Sequence, residues 1–113
     1  MTTPGSIPAA EALLLADLVT PTAGGIASRV LAKNGGGNVT LFAFDQGEGL
    51  SEHTAPFDAL VVVLEGQLAL TIGGARVVAG PGTIARMPAN VPHAVDALAA
   101  ARMLLVMLRE PKV

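Results

Sequence analysis

The sequence predicts an all-β protein, a single barrel or sandwich of short strands. From Val39 onward, apolar runs of strand length alternate with glycine-bearing turns, and no helical pattern of ten or more residues interrupts them. A chain of 113 residues has room for one domain with one core. The predicted strands cover residues 39–44, 60–65, 67–72, 75–79, 83–87, 93–97 and 102–108.

Glycine positions predict where the chain turns. Gly73 and Gly74 lie between two apolar runs, and both can take the positive φ angles that a two-residue hairpin demands. The segment 34–38 (NGGGN) predicts a flexible loop. Residues 1–38 are predicted to be an N-terminal extension that packs on the barrel, with at most one short helix or edge strand around residues 11–18. Residues 39–113 then form the barrel itself.

The composition excludes several classes of function. Charged residues make up only 14 % of the chain and its seven Lys and Arg residues are scattered, so no positive face for nucleic acid is predicted. The absence of cysteine excludes disulfides and thiolate zinc sites. The N-terminus lacks the basic segment of a signal peptide, and no stretch reaches the ~18 uninterrupted apolar residues of a membrane span. We therefore expect a cytoplasmic protein with no membrane partner.

Two histidines, His53 and His93, are the main candidates for chemistry. Each follows a turn-rich segment, and imidazole is the strong metal ligand and general base that remains when cysteine is absent. Taken alone, these residues leave two interpretations open. They form a binding or metal site, or they are unrelated histidines on the surface or satisfied in the core.

The segments around the histidines resemble the two motifs of the cupin superfamily. GEGLSEHTAPFDALVVVLEG (residues 47–66) resembles the first motif, and GPGTIARMPANVPHAV (residues 80–95) resembles the second. The second motif runs from Gly82 through five residues to Pro88 and on to His93. The resemblance covers about residues 39–108 and identifies the chain as a small single-domain cupin of the conserved-barrel, RmlC-like type. It implies a double-stranded β-helix, the jelly-roll barrel, with a short N-terminal extension.

The resemblance also implies a reduced metal site. In metal-binding cupins the two motifs supply three His and one Glu to a divalent ion inside the barrel. Position by position, the first and last His match His53 and His93, whereas the second His falls on Ala55 and the Glu falls on Ala59. A divalent metal (Zn, Fe, Ni or Mn) would therefore be held weakly, by His53 and His93 with water.

A carboxylate can replace the missing ligands only if it shares a face with the first histidine. Side chains alternate along a strand, which places residues 53, 55, 59, 61 and 63 on one face. Asp58 and Glu52 fall on the other face, and only a β-bulge would turn Asp58 inward.

We predict an apolar ligand pocket lined by His53, His93, Val61, Val63 and Met87. The predicted function is binding of a small molecule in this pocket. Two alternatives stay open: a metal-dependent isomerase, dioxygenase or decarboxylase with the two histidines as residual ligands, and a regulatory or structural module. The usual cupin dimer, together with a mean hydropathy of +0.58, predicts a homodimer.

Overall fold

The computed structural model describes residues 6–110, which form two antiparallel sheets and a short 3₁₀ helix at Leu15–Asp17. The strands are β1 (Ile26–Asn34), β2 (Gly37–Phe44), β3 (Gly49–His53), β4 (Asp58–Glu65), β5 (Leu68–Ile72), β6 (Ala75–Ala79), β7 (Ile84–Met87), β8 (His93–Ala97) and β9 (Ala101–Leu108). One sheet has the order β1-β2-β9-β4-β7 and the other β3-β8-β5-β6. The predicted all-β class and jelly-roll barrel are thus confirmed. Within the described residues no helix is long and apolar enough to cross a membrane.

The hairpin predicted at Gly73-Gly74 is confirmed. Ile72 and Ala75 are paired in register at the ends of β5 and β6, so the two glycines alone make the turn. Their φ angles are 58° and 84°, and a two-residue turn with both φ positive matches the right-handed twist of the strands it joins.

The flexible loop predicted at residues 34–38 is wrong, because this segment is a second tight hairpin. Asn34 pairs with Gly37, which leaves only Gly35 and Gly36 in the turn, and the Asn34 side-chain oxygen accepts a hydrogen bond from the Gly36 N–H at 2.7 Å. Gly37 has a φ of 142°, and a Cβ there would collide with the Met107 carbonyl. A glycine is therefore needed at position 37 because β9 approaches the backbone there closely, and not because the segment is flexible.

Strands β1 and β3 were not predicted from the sequence. The register of β1 against β2 shifts between Val30 and Ala32, and this irregularity breaks the two-residue alternation that identifies a strand. Strand β3 ends on three exposed residues, Ser51 to His53, so it has little apolar pattern. Both strands therefore lack the regular apolar alternation on which strand prediction depends.

The N-terminal segment lies against the five-stranded sheet. Arg102 on β9 donates a hydrogen bond from its guanidinium to the Val19 carbonyl at 3.2 Å, and Arg29 on β1 donates one to the Leu18 carbonyl at 3.4 Å. The 3₁₀ helix falls inside the 11–18 window in which a short helix was expected. Strand β1 lies before the predicted domain boundary at residue 38 and pairs with β2 across it.

The hydrophobic core lies between the two sheets and takes side chains from both. Leu68 and Leu70 come from the four-stranded sheet, and Val61, Val63 and Met103 come from the five-stranded sheet, all at most 1 % exposed. Burial of a Val, Leu or Met side chain contributes roughly 1.5–3 kcal/mol, so this packing is the main stabilising element of the barrel.

Candidate functional site

The two histidines lie on neighbouring strands of the four-stranded sheet. His53 closes β3, His93 opens β8, and the two are direct partners in register. Between the pairs Leu50–Val95 and His53–His93, β3 has one residue more than β8, which is a β-bulge. Without the bulge, side-chain alternation would place Glu52 on the same face of the sheet as Leu50. With the bulge, the His53 imidazole lies on that face instead.

The imidazole rings meet at their Nε2 atoms, which are 3.1 Å apart. The ring centroids are 4.4 Å apart and the ring planes make an angle of 75°. His93 is buried, with 4 % of its surface exposed, whereas His53 is exposed. The pair therefore connects the barrel interior with its surface.

Backbone carbonyls fix the tautomer of each ring. His53 Nδ1 lies 2.7 Å from the Ser51 carbonyl and His93 Nδ1 lies 3.1 Å from the Val91 carbonyl. Because a carbonyl only accepts, each Nδ1 carries the hydrogen and donates it, which leaves both Nε2 atoms with lone pairs in the neutral state. Two lone pairs at 3.1 Å repel one another unless a proton, a cation or a ligand hydrogen lies between them. The arrangement suits a guest with positive or hydrogen-bond-donating character.

An inner cavity of about 50 Å³ adjoins the pair. It exceeds the ~10–15 Å³ that one water needs but is far below the ~300 Å³ at which typical ligand pockets begin. Both sheets contribute to its wall, which is apolar apart from the imidazoles. The lining residues are Leu50, His53, Ala55, Phe57, Ala59, Met87, His93, Val95, Met103, Leu105 and Met107.

The structure brings together three of the five predicted pocket residues. His53, His93 and Met87 all line the inner cavity. Val61 and Val63 face the interior on β4 as alternation predicted, but they are packed in the core at 0 % and 1 % exposure, and the cavity wall is made by other residues. The site therefore occupies less of the interior than the sequence indicated.

A larger depression of about 710 Å³ lies outside the cavity. Phe57, in the loop between β3 and β4, lines both spaces. The Arg109 guanidinium lies over that ring at 5.2 Å from its centroid, a cation–π contact. No sequence pattern pointed to Phe57, because the loop that carries it has no regular alternation. The depression is lined by Pro56, Phe57, Asp58, Ala89, Leu108, Arg109 and Glu110.

Asp58 faces this outer depression and is committed to other partners. The Ala89 N–H donates to its carboxylate at 2.8 Å, and Arg86 donates to it at 3.1 Å. These two hydrogen bonds, the backbone one foremost, hold the pKa of Asp58 below its ordinary value. Its carboxylate lines the depression and not the inner cavity.

The donor set does not fit the divalent centre of three His and one Glu. The second His position is Ala55 and the Glu position is Ala59, and both line the cavity without a donor atom in their side chains. Among residues 6–110, no group of three or more His, Cys, Asp or Glu side chains could hold a metal ion. Two imidazoles are half of a four-coordinate protein site.

A family model for the cupin domain matches residues 40–108 of the chain. The protein belongs to the cupin family. No curated protein matches this cupin.

Several solved structures are similar to this cupin. A conserved protein of unknown function from Streptococcus pyogenes is 31 % identical, with a TM-score of 0.91, and the match covers 99 % of this chain and 98 % of that one. A cupin superfamily protein from Desulfitobacterium hafniense is 27 % identical, with a TM-score of 0.86 and coverage of 93 % and 96 %. A cupin 2 conserved barrel domain protein from Leptotrichia buccalis is 36 % identical, with a TM-score of 0.79, over 83 % of this cupin and 46 % of that chain.

Proposed function

We propose that this cupin binds a small molecule at the mouth of its barrel, through the imidazoles of His53 and His93. The observation that carries the proposal is the convergence of their two Nε2 lone pairs, 3.1 Å apart, on an apolar cavity. An O–H or N–H group seated beside both nitrogens donates its hydrogen to them and offsets the repulsion between their lone pairs. A ligand with such a donor on an apolar body matches this chemistry.

The size of the two spaces limits how the ligand lies. The inner cavity of about 50 Å³ holds only a few atoms, whereas the outer depression of about 710 Å³ has the volume of a typical ligand pocket. We therefore place the donor group of the ligand in the inner cavity and its body beyond Phe57.

Phenol is a suitable probe, because it has one hydroxyl donor on a flat apolar body. Titrated into metal-free protein and followed by NMR, it should bind saturably and shift the imidazole signals. His53→Ala and His93→Ala should each weaken binding at least tenfold, with Val77→Ala on the exposed edge strand β6 as the control. Binding that survives both histidine substitutions would contradict the proposal.

We also propose that two copies of the chain associate through the outer face of the five-stranded sheet. On this face Val62 of β4 pairs in register with Leu104 of β9 and with Ile84 of β7, and Ile84 is 64 % exposed. Such a row of apolar side chains is typical of a surface that a partner covers. Light scattering should give twice the chain mass of 11.4 kDa, and Ile84→Glu should reduce it to the monomer. A monomeric wild-type protein at micromolar concentration would refute the dimer.

A further inference from the structure

Two methionines flank the position where the first cupin motif would place a Glu. Ala59 on β4 has Met87 of β7 as its partner on one side and Met107 of β9 on the other. Direct partners have Cβ atoms roughly 4.5–5.5 Å apart on the same face of the sheet, within reach of a long thioether side chain. All three residues line the inner cavity together with both imidazoles. The position of the motif Glu is thus held by an alanine whose register partners on both sides carry thioether side chains.

We infer that the inner cavity is a site for a soft monovalent metal ion, Cu(I), held by Nε2 of His53 and His93 and by the thioethers of Met87 and Met107. Thioether and imidazole ligands select Cu(I), whereas carboxylates and water suit harder divalent ions. The methionines come from the five-stranded sheet and the imidazoles from the four-stranded sheet, so the ion would lie between the two sheets.

The imidazole geometry fits such an ion. Metal–nitrogen bonds of about 2 Å to two nitrogens 3.1 Å apart subtend an angle of about 100°, close to that of a tetrahedral centre. Two coordination positions then remain for other ligands. The Nδ1–H groups already donate to the Ser51 and Val91 carbonyls, which is the arrangement that orients a metal-ligating imidazole.

The cavity itself favours a singly charged ion. Its volume of about 50 Å³ has room for one ion, or for only a few atoms of a larger molecule. Transfer of an ion from water into an apolar cavity is costly, and this free-energy cost rises with the square of the ionic charge. A monovalent ion therefore enters the cavity at a lower cost than a divalent ion. The ion also occupies the space between the two Nε2 lone pairs and ends their repulsion.

The inference rests on the imidazole pair that carries the proposed function, but it adds the methionines and does not use the outer depression. Phenol binding is measured on metal-free protein. Failure of copper to bind would therefore leave the proposed small-molecule site standing, and failure of phenol to bind would leave the metal site standing.

An anaerobic titration of Cu(I) against the chelator bicinchoninate tests the inference. The wild-type protein should take one Cu(I) per chain in competition with the chelator. The double variant Met87→Leu, Met107→Leu should bind Cu(I) at least tenfold more weakly and bind Zn(II) as the wild type does. Leucine nearly conserves the volume of methionine, so the variant should stay folded, which thermal unfolding verifies. His53→Ala and His93→Ala should each weaken the binding of both Cu(I) and Zn(II).

X-ray absorption supplies a second readout that does not depend on affinity. Copper in selenomethionine-labelled protein should show Cu–Se scattering, and the double leucine variant should lose it. The inference is overturned if the wild type takes no Cu(I) from the chelator. It is equally overturned if the double variant binds Cu(I) as tightly as the wild type, or if the labelled protein shows nitrogen scattering alone.

Discussion

The two ends of the barrel interior are built from the same strands but in different ways. Strand β4 begins at the mouth with Ala59 and continues into the packed core with Val63, while β9 runs in the opposite direction from Met103 to Met107. At the packed end, Val63 is only 1 % exposed. At the mouth, small side chains leave a cavity beside the imidazoles. The packed end stabilises the fold, whereas the mouth is less tightly packed and contains the cavity beside the imidazoles.

The largest expected effect comes from a change in the packed end. Leu70→Ala removes a fully buried side chain and should lower the free energy of unfolding by about 2–5 kcal/mol, because the rigid surroundings cannot close the cavity. Urea unfolding followed by circular dichroism measures it. A loss below about 1 kcal/mol would show that this end is no better packed than the mouth.

A bulky side chain at the mouth should lower the stability less than Leu70→Ala does, but it should abolish ligand binding. Ala59→Leu introduces a bulky side chain between Met87 and Met107, which occupies the inner cavity and strains its wall by about 1–3 kcal/mol. Phenol titration and thermal unfolding of the same variant separate the two effects. Ala59→Gly is the control that leaves the cavity open. Wild-type phenol affinity in Ala59→Leu would place the ligand elsewhere.

Removal of the exposed imidazole should change stability still less. His53 contributes little to the core because its ring is exposed, so His53→Ala should alter the free energy of unfolding by less than about 1 kcal/mol. Phenol binding should nevertheless fall at least tenfold. Destabilisation as large as that of Leu70→Ala would mean that His53 is a structural residue.

The smallest effect expected is a pH dependence that comes from Asp58 at the rim of the mouth. Its folded pKa lies below the ordinary value of 3.8, because the Ala89 N–H and then Arg86 stabilise the carboxylate. The stabilisation is fully present above 3.8 and is lost as the pH falls through the lower folded pKa. Urea unfolding of wild type and Asp58→Asn across this range should give a stability difference that shrinks with acidification. A difference independent of pH would contradict the assigned cause.

The sequence predicted the packed end better than the mouth. Apolar alternation identified the strands from β4 to β9 and correctly predicted that Val61 and Val63 face the interior. It did not distinguish an inward residue in the core from one on the cavity wall, because this depends on the size of side chains facing it from the other sheet. Phe57 was missed for a different reason, because it lies on the loop after β3, where no regular pattern predicts which way a side chain faces.

The pairing of the histidines shows what motif matching can and cannot supply. The resemblance to the two cupin motifs predicted that His53 and His93 share one site in the barrel. The contact between their Nε2 atoms depends on the β-bulge in β3, and the tautomers depend on the Ser51 and Val91 carbonyls. Register shifts and carbonyl positions arise from pairing between distant strands, so no local pattern reports them.

The central claim, that both imidazoles present unprotonated Nε2 atoms to one cavity, is tested most directly by long-range ¹H–¹⁵N NMR spectra of the two histidines. The structure predicts a protonated Nδ1 in each ring and a change in the His93 signals when His53 is replaced by alanine. A bare Nδ1 in either ring, or His93 signals that do not respond to His53→Ala, would contradict the account.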